Sequence, residues 1–203
     1  MAERIEYFLA HSSPWTYLAG PRFTALVERN GLAVTFKPYD IMRVFQLNGT
    51  KPVGQRPKPV QANRLRELGR WRALLDMLLN LHPAHFPVDP TLAGRIVIAA
   101  QEAGTVQNKT IALSFAYLRA CWVEERDLAN ESTVVQIAES VGLAGEDLLA
   151  VAQGDATSTV LEANTEEAIA QDVFGSPTWI YKGELFWGQD RLDFLTRMVE
   201  DEA

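Results

Sequence analysis

The hydrophobic pattern of the first forty residues predicts a strand, a helix and a second strand. Short runs of apolar and aromatic residues at 5–9 and 33–38 are typical of strands. Between them, apolar residues recur at helical spacing from Pro14 onwards, which indicates a helix. Gly31 follows that helix, and glycine commonly stands after a last helical turn. We therefore expect a β–α–β unit with a right-handed crossover.

The pattern changes to helices in the middle of the chain. Residues 48–59 contain two glycines and three prolines, which predicts a loop. From residue 60 to about 152 no stretch resembles a strand, and a proline-rich loop at 83–90 is the main interruption. The predicted helices of this block lie at 65–78, 91–103, 109–124, 132–140 and 146–152.

Strand patterns return near the C-terminus. A helix is predicted at 157–170, and strands are predicted at 178–181 and 184–187, joined by a tight two-residue turn. A last helix is predicted from Asp190, as its N-cap, to about residue 200.

These elements assemble most simply as an α/β fold, a mixed four-stranded sheet with helices on both faces. We predict that residues 1–45 and 155–203 form this α/β domain. We predict that residues 46–154 form an all-helical insertion domain.

Composition and charge narrow the class of protein. The 203 residues are 47% hydrophobic and 22% charged, as in ordinary folded proteins. The net charge of −7 argues against a nucleic-acid partner. The single cysteine, Cys121, excludes an internal disulfide, a dithiol redox motif and a multi-cysteine metal site. Residues 1–10 are charged and resemble no secretion signal, and no apolar run is long enough for a membrane span, so we expect a cytoplasmic protein.

Two turns carry the candidate chemistry. Residues 12–15, Ser-Ser-Pro-Trp, lie where the first strand ends and the first helix begins, and open α/β sheets bind ligands at such strand ends. Ser13 is either a helix N-cap or a hydroxyl that faces a ligand. Residues 174–178, Phe-Gly-Ser-Pro-Thr, precede the third strand, and the bond before Pro177 is either cis or part of an ordinary turn.

Taken together, these motifs resemble one branch of a known superfamily. Residues 13–18 (Ser-Pro-Trp-Thr-Tyr-Leu), 174–178, and 184–193, which contain Phe-Trp-Gly-Gln-Asp-Arg, resemble the DsbA-like branch of the thioredoxin superfamily. Within that branch they are similar to 2-hydroxychromene-2-carboxylate isomerases and kappa-class glutathione transferases. The resemblance covers essentially the whole chain and implies a thioredoxin-like fold.

The resemblance also implies glutathione as a cofactor. In such proteins a serine at the helix start hydrogen-bonds the sulfur of glutathione, and the turn with a cis-proline pairs with its cysteinyl backbone. The helix start after the last strand receives the γ-glutamyl end. A homodimer is common in this family. The matching residues here are Ser13; Ser176 and Pro177; Gln189 and Asp190; and Asn48 in an Asn-Gly loop near the tripeptide.

A hydrogen bond from Ser13 and the helix N-terminus are together strong enough to favour the thiolate form of a bound thiol. A free thiol has a pKa of about 8.5 and is mostly protonated at neutral pH. A hydrogen bond to a charged group contributes roughly 1.5–3 kcal/mol, and a helix N-terminus adds roughly 0.3–1 kcal/mol. Together these effects lower the pKa of a bound thiol by about one to two units. Because serine forms no disulfide, thiolate chemistry remains while redox exchange is lost.

The substrate side departs from the family pattern. Asn63 stands where the family has a tyrosine, and Arg56, Lys58 and Arg64 either face a substrate carboxylate or are solvated loop charges. His82 and His85 alone make a poor metal site, so no metal is expected. The candidate substrate-binding residues are His11, Trp15, Asn63 and His85.

The leading hypothesis is a glutathione-dependent isomerase of the 2-hydroxychromene-2-carboxylate type, active in the catabolism of aromatic compounds. Its small-molecule partner would be an aromatic-derived carboxylate or electrophile. A kappa-like glutathione transferase or peroxidase is the alternative in the same fold. A non-catalytic thioredoxin-like binding or chaperone module is the alternative of another class.

Overall fold

The computed structural model describes residues 4–201. The predicted domain boundaries and the N-terminal segment also include residues 1–3 and 202–203, which lie outside the described residues. In chain order the elements are β1 (Arg4–Leu9), α1 (Pro14–Asn30), β2 (Ala33–Pro38), α2 (Ile41–Leu47), α3 (Lys58–Leu74), α4 (Thr91–Glu102), α5 (Gln107–Trp122), α6 (Glu131–Ser140), α7 (Gly145–Gln153), α8 (Asp155–Ala170), β3 (Thr178–Tyr181), β4 (Glu184–Trp187) and α9 (Leu192–Glu200). Short 3₁₀ turns occupy Val53–Gln55 and Gln189–Arg191.

The strands form a mixed sheet in the order β2-β1-β3-β4. β1 pairs with β2 in parallel, whereas β3 is antiparallel to both of its neighbours. The β3–β4 turn has positive φ at Lys182 (51°) and Gly183 (83°), as a tight hairpin requires. The predicted α/β fold with a mixed four-stranded sheet is confirmed.

Aromatic side chains fill one face of the sheet. Tyr7 stacks on Trp179 with ring centroids 5.5 Å apart, and Phe23 of α1 packs against Tyr7 at 4.7 Å. The next residue, Phe8, points to the opposite face because side chains alternate along a strand. There it joins a smaller cluster with Tyr39 and Ile180.

The larger cluster continues from the sheet into the helices that precede α8. Buried residues of this cluster include Leu68 of α3, Leu113 and Trp122 of α5, and Val134 of α6. One continuous core therefore crosses the predicted boundary between the α/β domain and the helical insertion, and the division into two domains stays a prediction.

The helices after β2 differ most from the sequence-based expectation. No helix is predicted at α2, which is only seven residues long and in which only Val44 is buried. Asp40 caps it, accepting hydrogen bonds from the N–H groups of Met42 (2.9 Å) and Arg43 (3.0 Å). α3 starts at Lys58 inside the predicted loop and ends at Leu74 rather than at 78.

The predicted N-cap at Asp190 is wrong. Asp190 lies within the 3₁₀ turn, and α9 begins after it with no side-chain cap. The turn starts at Gly188, whose φ of 97° favours glycine. The Asp190 carboxylate accepts a hydrogen bond from Arg191 at 2.6 Å instead of capping α9.

Between Arg4 and Asp201, no helix combines the length and the apolar character that crossing a membrane requires.

Two helical glycines provide a matched test of this packing. A Cβ on Gly20 of α1 would lie 2.4 Å from the Phe115 ring of α5, whereas Gly69 of α3 has no neighbouring atom within 4 Å of that position. Overpacking costs about 1–3 kcal/mol, and alanine in an open helical site contributes about 0.5–1 kcal/mol. We therefore expect Gly20→Ala to lower the free energy of unfolding in urea and Gly69→Ala to raise it. Equal shifts in the two variants would contradict the close contact between α1 and α5.

Candidate active site

Ser13 is the N-cap of α1 and also contacts the turn at residues 174–178. Its hydroxyl oxygen accepts a hydrogen bond from the Thr16 N–H at 3.2 Å, so the predicted capping role is confirmed. The same hydroxyl donates to the Ser176 carbonyl at 2.9 Å. With 8% of its surface exposed, Ser13 lies just beneath the protein surface.

Ser176 is held by the residues around Ser13. Its hydroxyl oxygen accepts from the Ala10 N–H at 2.9 Å and lies 2.7 Å from the Thr16 hydroxyl. The Ser176–Pro177 peptide bond is cis. The structure therefore brings Ser13 next to Ser176 and Pro177, although Ser13 is more than 160 residues away from them in the sequence.

Two hydroxyl groups hydrogen-bond to the turn at residues 174–178. The Gly175 carbonyl accepts hydrogen bonds from the hydroxyls of Tyr39 and Thr178, each at 2.8 Å. A Cβ on Gly175 would lie 2.2 Å from the Trp187 indole nitrogen, which explains why glycine stands there. The backbone before Pro177 is therefore held in one position.

Gln189 and Asp190 have different surroundings. Gln189 is buried, and the Arg22 guanidinium donates to its backbone carbonyl at 3.0 Å and to its side-chain oxygen. Burial lowers the pKa of Arg22, and Asp193 and Asp190 oppose that effect. The Gly188 N–H donates to the Pro177 carbonyl at 2.9 Å, so the 3₁₀ turn at Gln189–Arg191 adjoins the turn at residues 174–178. Of the two side chains, that of Asp190 is exposed and that of Gln189 is not.

The other predicted residues make none of the hydrogen bonds of this junction. Asn48 is exposed after α2, where its side chain accepts from the Thr50 N–H at 3.1 Å. Asn63 on α3 and His85 in the loop before α4 are exposed, and Trp15 is half-buried against the core. Within the described residues no three His, Cys, Asp or Glu side chains cluster as a metal site would require.

His11 is buried and neutral. Its Nε2 lies 3.0 Å from the Ser114 hydroxyl, and its ring packs edge-on against Tyr117. Desolvation lowers the pKa of His11 to about 3, so His11 is neutral at neutral pH and only a weak base. Its Nδ1 has no hydrogen-bond partner within the described residues, and the ring lines a cavity of about 70 Å³ beside Pro38 and Gly94.

The thiol of Cys121 takes no part in this site. It is buried in α5, and burial raises its pKa to about 12. It therefore remains a protonated packing group at neutral pH.

Several residues of the junction were not predicted. Thr16 could have been found, because it lies three residues after Ser13 and so one helical turn further on. Arg22, Tyr39 and Ser114 had no such signal, since each reaches the site from a distant part of the chain.

The chain belongs to the DSBA-like thioredoxin domain family, whose model matches residues 4–200. This confirms the thioredoxin-like fold that the sequence motifs implied.

Curated relatives extend over nearly the whole chain. The 2-hydroxychromene-2-carboxylate isomerase of Sphingobium xenophagum is 26% identical over 202 residues, covering 99% of this chain and 100% of that protein. The protein of the same name from Pseudomonas putida is 26% identical over 192 residues, covering 94% and 91%. The resemblance to these isomerases is confirmed.

Solved structures agree on the fold. A structure of 2-hydroxychromene-2-carboxylate isomerase has a TM-score of 0.77 at 22% identity, covering 98% of this chain and 99% of that one. The cytosolic disulfide reductase DsbM from Pseudomonas aeruginosa, solved with GSH, has a TM-score of 0.70 at 18% identity, covering 98% of each chain.

Neutral His11 makes the protein sensitive to acid. The unfolded chain takes up this proton near pH 6.5, and the folded chain only near pH 3. The stability that depends on neutral His11 is therefore complete above pH 6.5 and is lost as the pH falls toward 3. The control variant is His11→Gln, which does not titrate and retains a partner for Ser114. Between neutral pH and pH 4.5 we expect the free energy of unfolding of the wild type to fall by about 2.5 kcal/mol more than that of the variant. Identical acid profiles in urea titrations would show that His11 is not buried as a neutral group.

Proposed function

We propose that this protein is a glutathione-dependent isomerase of the 2-hydroxychromene-2-carboxylate type. The observation that carries the proposal is the Ser13 hydroxyl, which donates at 2.9 Å to the carbonyl of Ser176, the residue before the cis-proline, from the start of a 17-residue helix. The full-length similarity to isomerases supports the reaction class.

The residues of the two turns fit a cysteinyl peptide. The Ser176 carbonyl accepts only the Ser13 hydroxyl among the described hydrogen bonds, so a peptide N–H of a ligand can replace that donor. The Ser13 hydroxyl would then turn to the neighbouring sulfur while still accepting from Thr16. The number of hydrogen bonds at Ser176 is thereby conserved when the ligand binds.

The 3₁₀ turn at Gln189–Arg191 fits the γ-glutamyl part of glutathione. The Asp190 carboxylate is the exposed acid of the 3₁₀ turn, and an α-ammonium group is a suitable partner for it. Arg22 holds Gln189 and thereby the backbone of this turn. We therefore assign ligand contact to Asp190 and positioning to Gln189.

Ser13 stabilises charge and is not itself a nucleophile. When bound, glutathione would supply a thiolate for addition to the substrate, with ring opening and conversion of a carbon–carbon double bond to a single bond about which rotation is free; expulsion of the thiolate would restore the double bond and return glutathione unchanged. The hydroxyl and the helix N-terminus favour the anionic sulfur, because both place positive partial charge next to it.

Substitution of Ser13 separates catalysis from helix capping. We expect Ser13→Ala to lower kcat about 10²-fold or more, because one donor to a developing anion contributes that much. The lost cap should lower stability by about 1 kcal/mol. Ser12→Ala, one residue earlier on the same turn, is the control and should keep its activity. The measurement is isomerisation of 2-hydroxychromene-2-carboxylate with and without glutathione.

Three outcomes would contradict the proposal. Equal rates with and without glutathione would exclude it as a cofactor. Consumption of glutathione into a stable conjugate would identify a transferase instead. Calorimetry that shows no affinity for glutathione would favour a non-catalytic binding module.

A further inference from the structure

A small cavity lies at the carboxyl ends of β1 and β2. Residues 9–11 and 38–42, which include the last residues of these strands, line it together with residues at the start of α4. Its volume of about 70 Å³ exceeds the roughly 10–15 Å³ that one water molecule needs, but it is far below the roughly 300–1,000 Å³ of a complete ligand pocket. The cavity therefore suits a small molecule or one end of a larger one.

Both buried and exposed residues line this cavity. His11 is buried, with 1% of its surface exposed, and Gly94 beside it is buried too. Asp40, Asp89 and Thr91 also line the cavity, but they are exposed. The cavity therefore extends from the protein surface to the His11 ring.

The hydrogen bond at Nε2 assigns the tautomer of the neutral His11 ring. Nε2 lies 3.0 Å from the hydroxyl of Ser114, and this buried hydroxyl has no other hydrogen-bond partner between Arg4 and Asp201. If Ser114 donates, Nε2 accepts and the ring proton is on Nδ1, so the Nδ1–H group alone lacks a partner. If Ser114 accepts, both its own proton and the Nδ1 lone pair lack partners. Because buried polar groups are normally satisfied, the first arrangement is favoured and Nδ1 is a donor.

This donor faces the cavity. Nδ1 of His11 has no hydrogen-bond partner among the described residues. A Cβ on Gly94, which lines the cavity, would lie 3.9 Å from Nδ1 and 3.0 Å from the Cβ of Pro38. Because glycine has no side chain, nothing from this position of α4 covers the donor. A buried N–H at the inner end of an accessible cavity is suited to the acceptor atom of a ligand.

The charges around the cavity restrict that acceptor. Asp40 and Asp89 contribute two carboxylates, and no lysine or arginine is among the described residues that line it. An anionic ligand would be repelled by these carboxylates, and an ammonium group has no lone pair to accept the Nδ1 proton. A carbonyl oxygen is uncharged, has two lone pairs and brings no proton of its own that would need a partner.

The cavity adjoins the candidate active site without including it. Ala10 lines the cavity, and its N–H donates to the Ser176 hydroxyl at 2.9 Å while its carbonyl accepts from the Ser13 N–H at 3.0 Å. Tyr39 also lines it, and its hydroxyl donates to the Gly175 carbonyl at 2.8 Å. Neither Ser13 nor Ser176 lines the cavity, so it is a separate site on the same end of the sheet.

We propose that this cavity binds a small uncharged carbonyl compound, a ketone, aldehyde or amide, whose oxygen accepts a hydrogen bond from Nδ1 of His11. The apolar side chains of Leu9, Pro38 and Leu161, which line the same cavity, would contact the carbon substituents. The inference depends neither on glutathione nor on the proposed isomerisation, because it uses no contact of the Ser13 hydroxyl.

Nitrogen NMR of the isotope-labelled wild type tests the donor. At neutral pH we expect the His11 ring to be neutral with its proton on Nδ1. The His11 signals are identified by their loss in His11→Gln, since the other two histidines, His82 and His85, are both exposed. A ring proton on Nε2 would overturn the inference, because Nδ1 would then have nothing to donate.

Two matched probes test the class of ligand. Acetone and acetate have the same number of heavy atoms and a similar shape, but only acetone is uncharged. We expect acetone to shift the Nδ1–H resonance saturably with a Kd of about 1–100 mM, a range that ligand efficiency allows for so small a molecule. Acetate at the same concentration should leave this resonance unshifted.

Variants locate the binding of acetone, measured by saturation transfer to its methyl protons. His11→Phe keeps a ring and removes the donor, so it should abolish binding. Gly94→Ala narrows the cavity and should raise the Kd at least about 10-fold. The control is Gly69→Ala, a helical glycine with no atom within 4 Å of an added Cβ, and it should change the Kd less than about twofold.

Three binding results would overturn the inference. Acetate that binds as tightly as acetone would show that the site does not select an uncharged acceptor. Acetone binding that survives His11→Phe would place the probe elsewhere. No saturable shift up to about 0.3 M acetone, with water as the only neighbour of the Nδ1 proton, would show a site for solvent only. None of these results bears on the reaction at Ser13, which the glutathione experiment tests separately.

Discussion

The hydrogen-bonded junction between the turn before α1 and the turn before β3 is the constraint on which the site depends. Ser13, Thr16 and Ser176 are buried polar residues, and each uses its hydroxyl inside this junction. Leaving such groups without partners costs about 1–3 kcal/mol each, so the two turns are stable only in contact. Because 163 residues separate Ser13 from Ser176, the site exists only when β1 lies beside β3 in the completed fold.

Local contacts explain what could be predicted from the sequence. Ser13 caps α1 through a residue three positions away, and the αL conformation of Gly31 ends that helix through contacts with its last turn. The β3–β4 turn follows similarly from two adjacent residues, Lys182 and Gly183. Each depends on neighbours in the chain, so propensity and spacing are sufficient to find it.

Distant contacts explain what could not be predicted. His11 meets Ser114 across 103 residues, and Arg22 reaches Gln189 across 167, so no spacing rule links them. Desolvation of His11 depends on helices packed around it, which the strand pattern of β1 does not reveal. Asp190 has a typical capping residue type, but the turn that starts at Gly188 places it before α9 and turns its carboxylate toward Arg191.

A hydroxyl whose hydrogen bonds are already satisfied also restricts which thiols the proposed site accepts. Ser13 donates to the Ser176 carbonyl, and a simple thiol that captured this donor would leave the carbonyl without a partner. A cysteinyl peptide supplies both a sulfur for Ser13 and an N–H for Ser176, so it exchanges hydrogen bonds without losing one. With Cys121 buried and protonated, the chain itself offers no competing thiolate. The junction that stabilises the fold would therefore also favour a peptide thiol over a small free one.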